Sequence, residues 1–407
     1  MKKRLLSCLL VVSMLIPLVG CKGSGGSGKL VLALRSGTYS DVIKECLPEF
    51  EKEHNVTCEV VELSEDDLHS QVLNDSVMGS GAYDICMVDG SWVAEYIYED
   101  VLADLGELGY KLDDDIIPAT TAICVQNGKT YLVPYYGNVT VMMYNRAVAS
   151  ELGYDDSSFT SLDKVREFCE SSSAAGHGGF VYRGDTENNI VVDFLPILCA
   201  YGGWVVDENN NPTVNTPEFA AAMEYYMTLC NTGTALAKED LISSIADGKM
   251  TTAVGWPGWY NDDEQPDSDF TAFPGRVNDS AESYNSNIYG IWTLGIPSNS
   301  VNKEEACELL KYLTDKEVQK GTVESGGVPC RYSSLTDPDI LAKNPHLAVI
   351  CTALENGKYR PVMQEWPRFY TILGNEMKKM MDGSESVSDG LSLAQEALEA
   401  MMKGSEQ

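Results

Sequence analysis

Cations are scarce in this chain: 29 Lys and Arg stand against 61 Asp and Glu, giving a formal net charge of −32 over 407 residues. So acidic a surface repels phosphate backbones and anionic lipid, which excludes a nucleic-acid binder or an electrostatically held membrane protein. Histidine is rarer still, with His54, His69, His177 and His346 far apart. No HExxH and no Cys/His spacing suited to zinc occurs, so no metal site is expected. No GxSxG elbow is present, and none of the 12 cysteines forms a CxxC pair. Beyond residue 20, no run is apolar enough to span a bilayer.

What is present begins at the N-terminus. Lys2, Lys3 and Arg4 precede an apolar run over residues 5–19, interrupted by Ser7, Ser13 and Pro17. The run is short for a permanent span and has the charge and small-residue ending of an export signal. That ending, Leu18-Val19-Gly20-Cys21, resembles a bacterial lipobox. The resemblance implies cleavage after residue 20 and a diacylglycerol on Cys21. Each buried CH₂ of such an anchor contributes about 0.8 kcal/mol. Residues 21–28 then form the lipidated Cys and a Gly/Ser tether. The tether also spells GxGxxG, but it precedes a strand instead of following one, so it carries no dinucleotide reading.

Removal of residues 1–20 takes away three cations and moves the charge to −35. The length left suits two domains. The remaining ten cysteines are scattered singly, several in apolar segments, and read as buried thiols that behave as small hydrophobes. An oxidising compartment would also permit pairing, and the sequence leaves that open. Acidic runs such as Asp113-Asp114-Asp115 and Asp262-Asp263-Glu264 read as solvated loop faces.

Residues 30–34 read as a short buried strand. Val42, Ile43, Cys46, Leu47 and Phe50 recur at helical spacing, with Pro48 predicting a kink. Val56, Cys58 and Val60 alternate as a strand. Leu68, Val72, Leu73 and Val77 mark a helix, and residues 85–88 a third strand. Strand–helix–strand–helix–strand at this length is a parallel α/β sheet with right-handed crossovers. Ligands on such sheets bind at the carboxyl ends of the strands. Those ends are residues 35–39 and Asp89-Gly90-Ser91-Trp92.

Later, Tyr131–Tyr144 carries a Pro/Gly turn between two strands, where the chain can cross between lobes. Thr160 with Asp163 and Asn302 with Glu305 have capping-box spacing. Thr216-Pro217 reads as an N-cap followed by an N1 proline. A strand over 251–254 runs into Gly255-Trp256-Pro257-Gly258-Trp259-Tyr260, and residues 288–296 read as one strand. Leu391, Ala394, Leu398 and Met401 share the face of a last helix.

Several pieces, taken in order, form a pattern. They are Tyr83-Asp84-Ile85-Cys86-Met87-Val88, Leu132-Val133-Pro134-Tyr135-Tyr136 and Met143-Tyr144-Asn145-Arg146. Asp247-Gly248-Lys249-Met250 with its Trp-rich loop follows. Glu305-Ala306-Cys307-Glu308-Leu309-Leu310-Lys311-Tyr312-Leu313 comes before Gly326-Gly327-Val328-Pro329-Cys330-Arg331, and Arg360-Pro361 and Trp366 come last. Together they resemble a family 1 extracellular solute-binding protein, the group that includes maltodextrin-binding proteins, and the resemblance implies a two-lobed α/β periplasmic-binding-protein fold of type II, with the ligand in the cleft. It implies chain crossings near residues 136–139, 286–289 and 329–333. Lobe 1 is then 29–137 plus 289–330, and lobe 2 is 138–288 plus 331–403.

Sugars present C–H faces that pack on aromatic rings and hydroxyls that need paired donors and acceptors. Trp256 and Trp259 sit in a Pro/Gly loop after a strand, where function concentrates. By position in the family pattern, Trp259 is the better match and Trp366 falls where a cleft aromatic belongs. Asn138 stands where some relatives place a carboxylate, and Asp193 falls in another cleft segment. Trp92 and Trp292 are further aromatic candidates. Asp89, Tyr39, Tyr135 and Arg331 are polar candidates, with Arg331 also read as an inter-lobe salt-bridge partner.

The resemblance implies a monomeric lipoprotein on the extracytoplasmic face of the cell membrane. It would capture a mono- or oligosaccharide and hand it to the transmembrane subunits of an ABC permease. No catalytic residue, metal or cofactor is expected. A second reading takes the acidic charge as a preference for a polyamine or another cation. A third, a secreted carbohydrate-active enzyme, needs two opposed carboxylates roughly 5–9.5 Å apart.

Overall fold

The computed structural model describes residues 28–261 and 264–405. The signal segment, Cys21 and most of the tether lie outside the described residues.

The first half follows the alternation of the sequence. Strand β1 (Lys29–Arg35), helix α1 (Thr38–His54), strand β2 (Thr57–Leu63), helix α2 (Glu65–Met78) and strand β3 (Ile85–Asp89) succeed one another. β1 lies between β2 and β3 and pairs in parallel with both. Every residue of β3 is buried, as a strand covered on two faces requires. Val42, Ile43, Leu47 and Phe50 of α1 pack inward. Pro48 does not end that helix. It is exposed, so the carbonyl it leaves unbonded faces water, and α1 continues to Asn55 in the left-handed conformation (φ 52°).

Two strands from far along the chain complete this sheet. Trp292–Gly295 inserts antiparallel between β3 and Leu132–Tyr136. The second lobe holds a smaller sheet, in which Val141–Asn145 is flanked antiparallel by Thr252–Gly255 and Ser268–Thr271. Its core is helical, built from Glu187–Ala200, Pro217–Cys230, Trp366–Met381 and Val387–Ser405. The Thr216 hydroxyl caps its helix by accepting from the Phe219 N–H, and Leu391, Ala394, Leu398 and Met401 are all buried. The two expected capping boxes do not form. Thr160 instead donates to Asp279 at 2.6 Å, and Asn302 turns its amide to Asp84 at 3.1 Å. A tertiary carboxylate outcompetes the local helix end in both cases.

The expected single strand over 288–296 is two. Asn287–Ile288 pairs with Gly357–Lys358, and Trp292–Gly295 joins the large sheet. The break falls where the chain passes between lobes. Residues 138–140, 287–290 and 357–358 run side by side there. Gly290 N–H donates to Asn138 O at 3.0 Å, Thr140 N–H to Ile288 O at 2.9 Å, and Tyr289 N–H to Lys358 O at 2.9 Å.

The third crossing is therefore at 357–358, which corrects the expected 329–333. Residues 329–333 stay inside the first lobe, where Arg331 bridges Ile116 and the Cys330 carbonyl accepts from Ile117 N–H. Helices Tyr332–Leu335 and Leu347–Glu355 pack on the first core, and the chain enters the second core at Met363. The lobe boundary expected at 330/331 thus moves to the segment 356–362. All ten cysteines in the described residues are free thiols. Among the described residues no helix is long and apolar enough to cross a membrane, and no group of acidic, His or Cys side chains could hold a metal ion.

The crossing is tightly packed. A Cβ added at Gly357 would lie 2.1 Å from Tyr289 Cε1, and the Tyr289 hydroxyl donates to the Leu354 carbonyl. Gly357→Ala should cost about 1–3 kcal/mol by displacing that ring. Urea unfolding reads this as a lower midpoint at unchanged slope. An unmoved midpoint would refute the close approach.

Candidate functional site

A cavity of about 350 Å³ lies between the lobes, and the carboxyl ends of the first sheet form one wall. After β1 the chain turns through Arg35, Ser36 and Gly37, whose φ of 93° an L side chain rarely adopts. This turn brings Thr38 and Tyr39 to the cavity. Asp89 ends β3 and accepts from Ser91 N–H at 2.8 Å and Ser91 hydroxyl at 2.6 Å. In register with Asp89 stands Trp292, and next to it Tyr136. Tyr39 meets the Tyr136 ring edge-on at 4.8 Å and lies 5.7 Å from Trp292. Burial raises the Tyr39 hydroxyl pKa, which keeps it a neutral donor.

The second lobe supplies the facing wall. Trp256 and Trp259 follow the strand Thr252–Gly255, and both are half-buried. Trp256 packs so closely on Gly290 that a Cβ there would lie 2.8 Å from its Cζ3. Arg183 holds its guanidinium carbon 5.2 Å from the Trp259 ring centre, and Lys238 Nζ lies 5.8 Å from it. Arg183 is itself fixed from behind. Its Nε donates to Asp193 at 3.1 Å, its Nη2 to the same carboxylate, and its Nη1 to Asn189 at 2.9 Å.

The crossings form the floor. Asn138 is 7% exposed, and its side-chain oxygen has no hydrogen-bond partner among the described residues. Asn188, on the second lobe's wall, has the same unpartnered oxygen. From the third crossing, Arg360 reaches the Asp89 carboxylate at 2.7 and 3.0 Å. The Glu65 carboxyl also lines the cavity. Its pKa is raised, first by desolvation and then by the Asp89 charge, against the lowering effect of Arg360 and Arg35. Its side chain keeps solvent contact, so the shift comes from the surrounding walls and not from full enclosure. A larger groove of about 730 Å³ continues past Tyr136, Lys238 and Trp259 towards Tyr260, Gln265 and His346.

Of the residues singled out in the sequence, the cavity gathers Tyr39, Asp89, Asn138, Trp256, Trp259 and Trp292. Five others lie outside it, and each has a local reason. Trp366 is fully buried in the second core, with its ring stacked 5.5 Å from Phe369. Tyr135 alternates with Tyr136 along its strand, so it points into the first core when Tyr136 faces the cavity. Asp193 stands behind Arg183. Arg331 is buried within the first lobe, where it bonds Gln319 at 2.6 Å and Asp113 at 2.9 Å, so it is neither a cavity residue nor an inter-lobe partner. Trp92 packs behind Trp292 at 5.5 Å and beside His69 at 5.0 Å. The charged residues not foreseen are Glu65, Arg183, Lys238 and Arg360, and Asn188, Asn189 and Val192 join them, whereas Arg35 falls in the strand end 35–39 that the sequence marked. Arg360-Pro361 was visible as a family-like piece, but no local pattern marked its side chain.

A family model described as bacterial extracellular solute-binding protein matches residues 46–349. One similar relative is a probable amino-acid ABC transporter periplasmic-binding protein of Sinorhizobium fredii. It is 21% identical over 397 residues, which cover 93% of this chain and 90% of the relative. Another is the diacetylchitobiose binding protein DasA of Streptomyces coelicolor, 21% identical over 400 residues and 90% of each chain. Among solved structures, maltose-bound MalE3 of T. maritima is similar with a TM-score of 0.79 at 22% identity, over 92% of this chain and 99% of that one. Likeness at that identity shows the fold, which is the two-lobed α/β architecture expected from the resemblance.

The Asp193–Arg183 pair that backs the cavity wall is almost wholly enclosed, at 1% and 9% side-chain exposure. Asp193→Ala would strand a buried guanidinium and should cost about 3–5 kcal/mol. Equilibrium unfolding followed by tryptophan fluorescence measures this. A loss under about 1 kcal/mol would show that the pair is dispensable.

Proposed function

The chain belongs to the bacterial extracellular solute-binding proteins, and on that premise we propose that its cleft captures a carbohydrate for delivery to the membrane subunits of an ABC-type importer. The observation that carries this reading is the pairing of two kinds of surface in one cavity. Trp256 and Trp259 offer half-buried rings, while Asn138 and Asn188 offer enclosed oxygens with no partner. A buried acceptor left unmatched costs roughly 1–3 kcal/mol, which a sugar hydroxyl can relieve. A relative named for diacetylchitobiose binding and a neighbour holding maltose support the same class of ligand.

The polyamine reading loses ground on charge. Among the described residues, Arg35 and Lys238 line the cavity with no carboxylate of its lining in ion-pair contact, and of its two carboxylates Asp89 is already paired with Arg360, which leaves Glu65 alone to meet a cation. For catalysis, Asp89 is already occupied by Ser91 and Arg360, and Glu65 comes from the same lobe. The two therefore do not face one another across a bound sugar, and we assign binding and transfer without chemistry. The acidic surface, the lipobox and the tether support a monomer held at the outer membrane face through Cys21.

Calorimetry against a panel of mono- and oligosaccharides should find a ligand, and Trp259→Ala should weaken it at least tenfold, about 1.4 kcal/mol. Trp366→Ala should lower stability and leave no comparable signature of lost stacking. A panel without any binder would sink the carbohydrate reading. Separately, bacteria expressing the full chain should incorporate labelled palmitate into it, and Cys21→Ser should abolish the label. Label that persists in the variant would refute the anchor at that residue.

A further inference from the structure

The cations of the cavity are not equivalent. Arg183 is fixed by Asp193 and Asn189, and Arg360 by Asp89. Their charges are answered within the protein. Arg35 differs. Half-buried at the carboxyl end of β1, it bonds only the Ser36 hydroxyl, at 2.9 Å, and no carboxylate lies within ion-pair distance of it among the described residues. Glu65 shares the cavity but makes no ion pair with it. From the opposite lobe, Lys238 reaches the same space beside the Trp259 ring, and among the described residues its ion pair is with its own exposed neighbour Glu239 at 3.2 Å.

The half-buried Arg35 guanidinium lowers the Glu65 pKa without pairing with it, so its other N–H donors stay free for a ligand. Its planar fork of N–H donors matches an oxyanion in two-point contact better than it matches a lone hydroxyl. The setting sharpens the point. In a chain of net charge −32, four cationic side chains and two carboxylates line this cavity. An anionic solute, repelled by so acidic a chain at large, meets four cationic side chains in this cavity.

We infer that the ligand is an acidic saccharide whose oxyanion, in the first instance the carboxylate of a uronate, pairs with Arg35, with Lys238 closing on it from the second lobe. The inference rests on the carbohydrate reading and narrows it. The rings of Trp256 and Trp259 and the oxygens of Asn138 and Asn188 then serve the neutral part of the sugar, and Arg35 selects its charge. Sulfate and phosphate esters share the oxyanion chemistry and are separate arms of the test.

The experiment is calorimetry on the mature chain with matched pairs: glucose against glucuronate, galactose against galacturonate, and digalacturonate against a neutral disaccharide. Glucose 6-phosphate and glucose 6-sulfate extend the series. A uronate should bind at least tenfold tighter than its neutral counterpart, with the advantage shrinking as salt rises. Arg35→Gln should bring the ratio close to one, and Arg35→Lys should keep part of it. Neutral sugars that bind as tightly as acidic ones, or a preference that survives Arg35→Gln, would overturn the inference and leave the carbohydrate reading standing. A phosphate or sulfate ester preferred over every uronate would overturn the carboxylate assignment. If no saccharide of either kind binds, the carbohydrate reading itself fails.

Discussion

Backbone groups that pass between two lobes must be hydrogen-bonded where they are buried. Here three passages satisfy one another. Asn138 accepts from Gly290, Thr140 donates to Ile288 and accepts from it through its hydroxyl, and Tyr289 donates to Lys358. That mutual bonding holds the segments in one narrow band. Residues of the cavity floor lie on it or just beyond it, with Asn138 on the first passage, Gly290 on the second and Arg360 two residues past the third pairing. The geometry of the cavity is thus a by-product of how the chain crosses.

The same band explains why the cavity belongs to both lobes. A few short pairings join the two lobes, and such connections are where hinge motion occurs. Tyr39, Asp89 and Trp292 ride on the first sheet, and Arg183, Trp256 and Trp259 ride with the second lobe. A ligand touching both walls interacts differently with open and closed arrangements, and that difference is what shifts the population between them.

Charge pairing orders the walls without needing to stabilise the fold. Buried ion pairs give little net stability, but they hold side chains in one geometry. Arg183 is steered over Trp259 by Asp193, and Arg360 is steered to Asp89 across the third crossing. Lys358, beside Arg360, places its ammonium 3.5 Å from the Trp204 ring centre, and burial lowers its pKa. This aromatic contact gives the cation on the crossing strand a partner that carries no charge of its own.

The sequence alone was enough for the parallel βαβαβ start, because period-2 and period-3.6 patterns are local and the burial of β3 follows from them. It also placed Trp256, Trp259 and Asp89 at the ligand cavity, since strand ends and Pro/Gly loops are places where side chains emerge. It misplaced Trp366 and Tyr135, because an aromatic residue reads the same whether its ring faces a cleft or a core. The direction is set by a neighbouring helix for Trp366 and by strand alternation for Tyr135. The third crossing, the split of 288–296 and the role of Arg360 were decided only by tertiary structure. Each depends on partners far off in the chain, as with Arg360 and Asp89, which are 271 residues apart. No local pattern of residues records a contact at that separation.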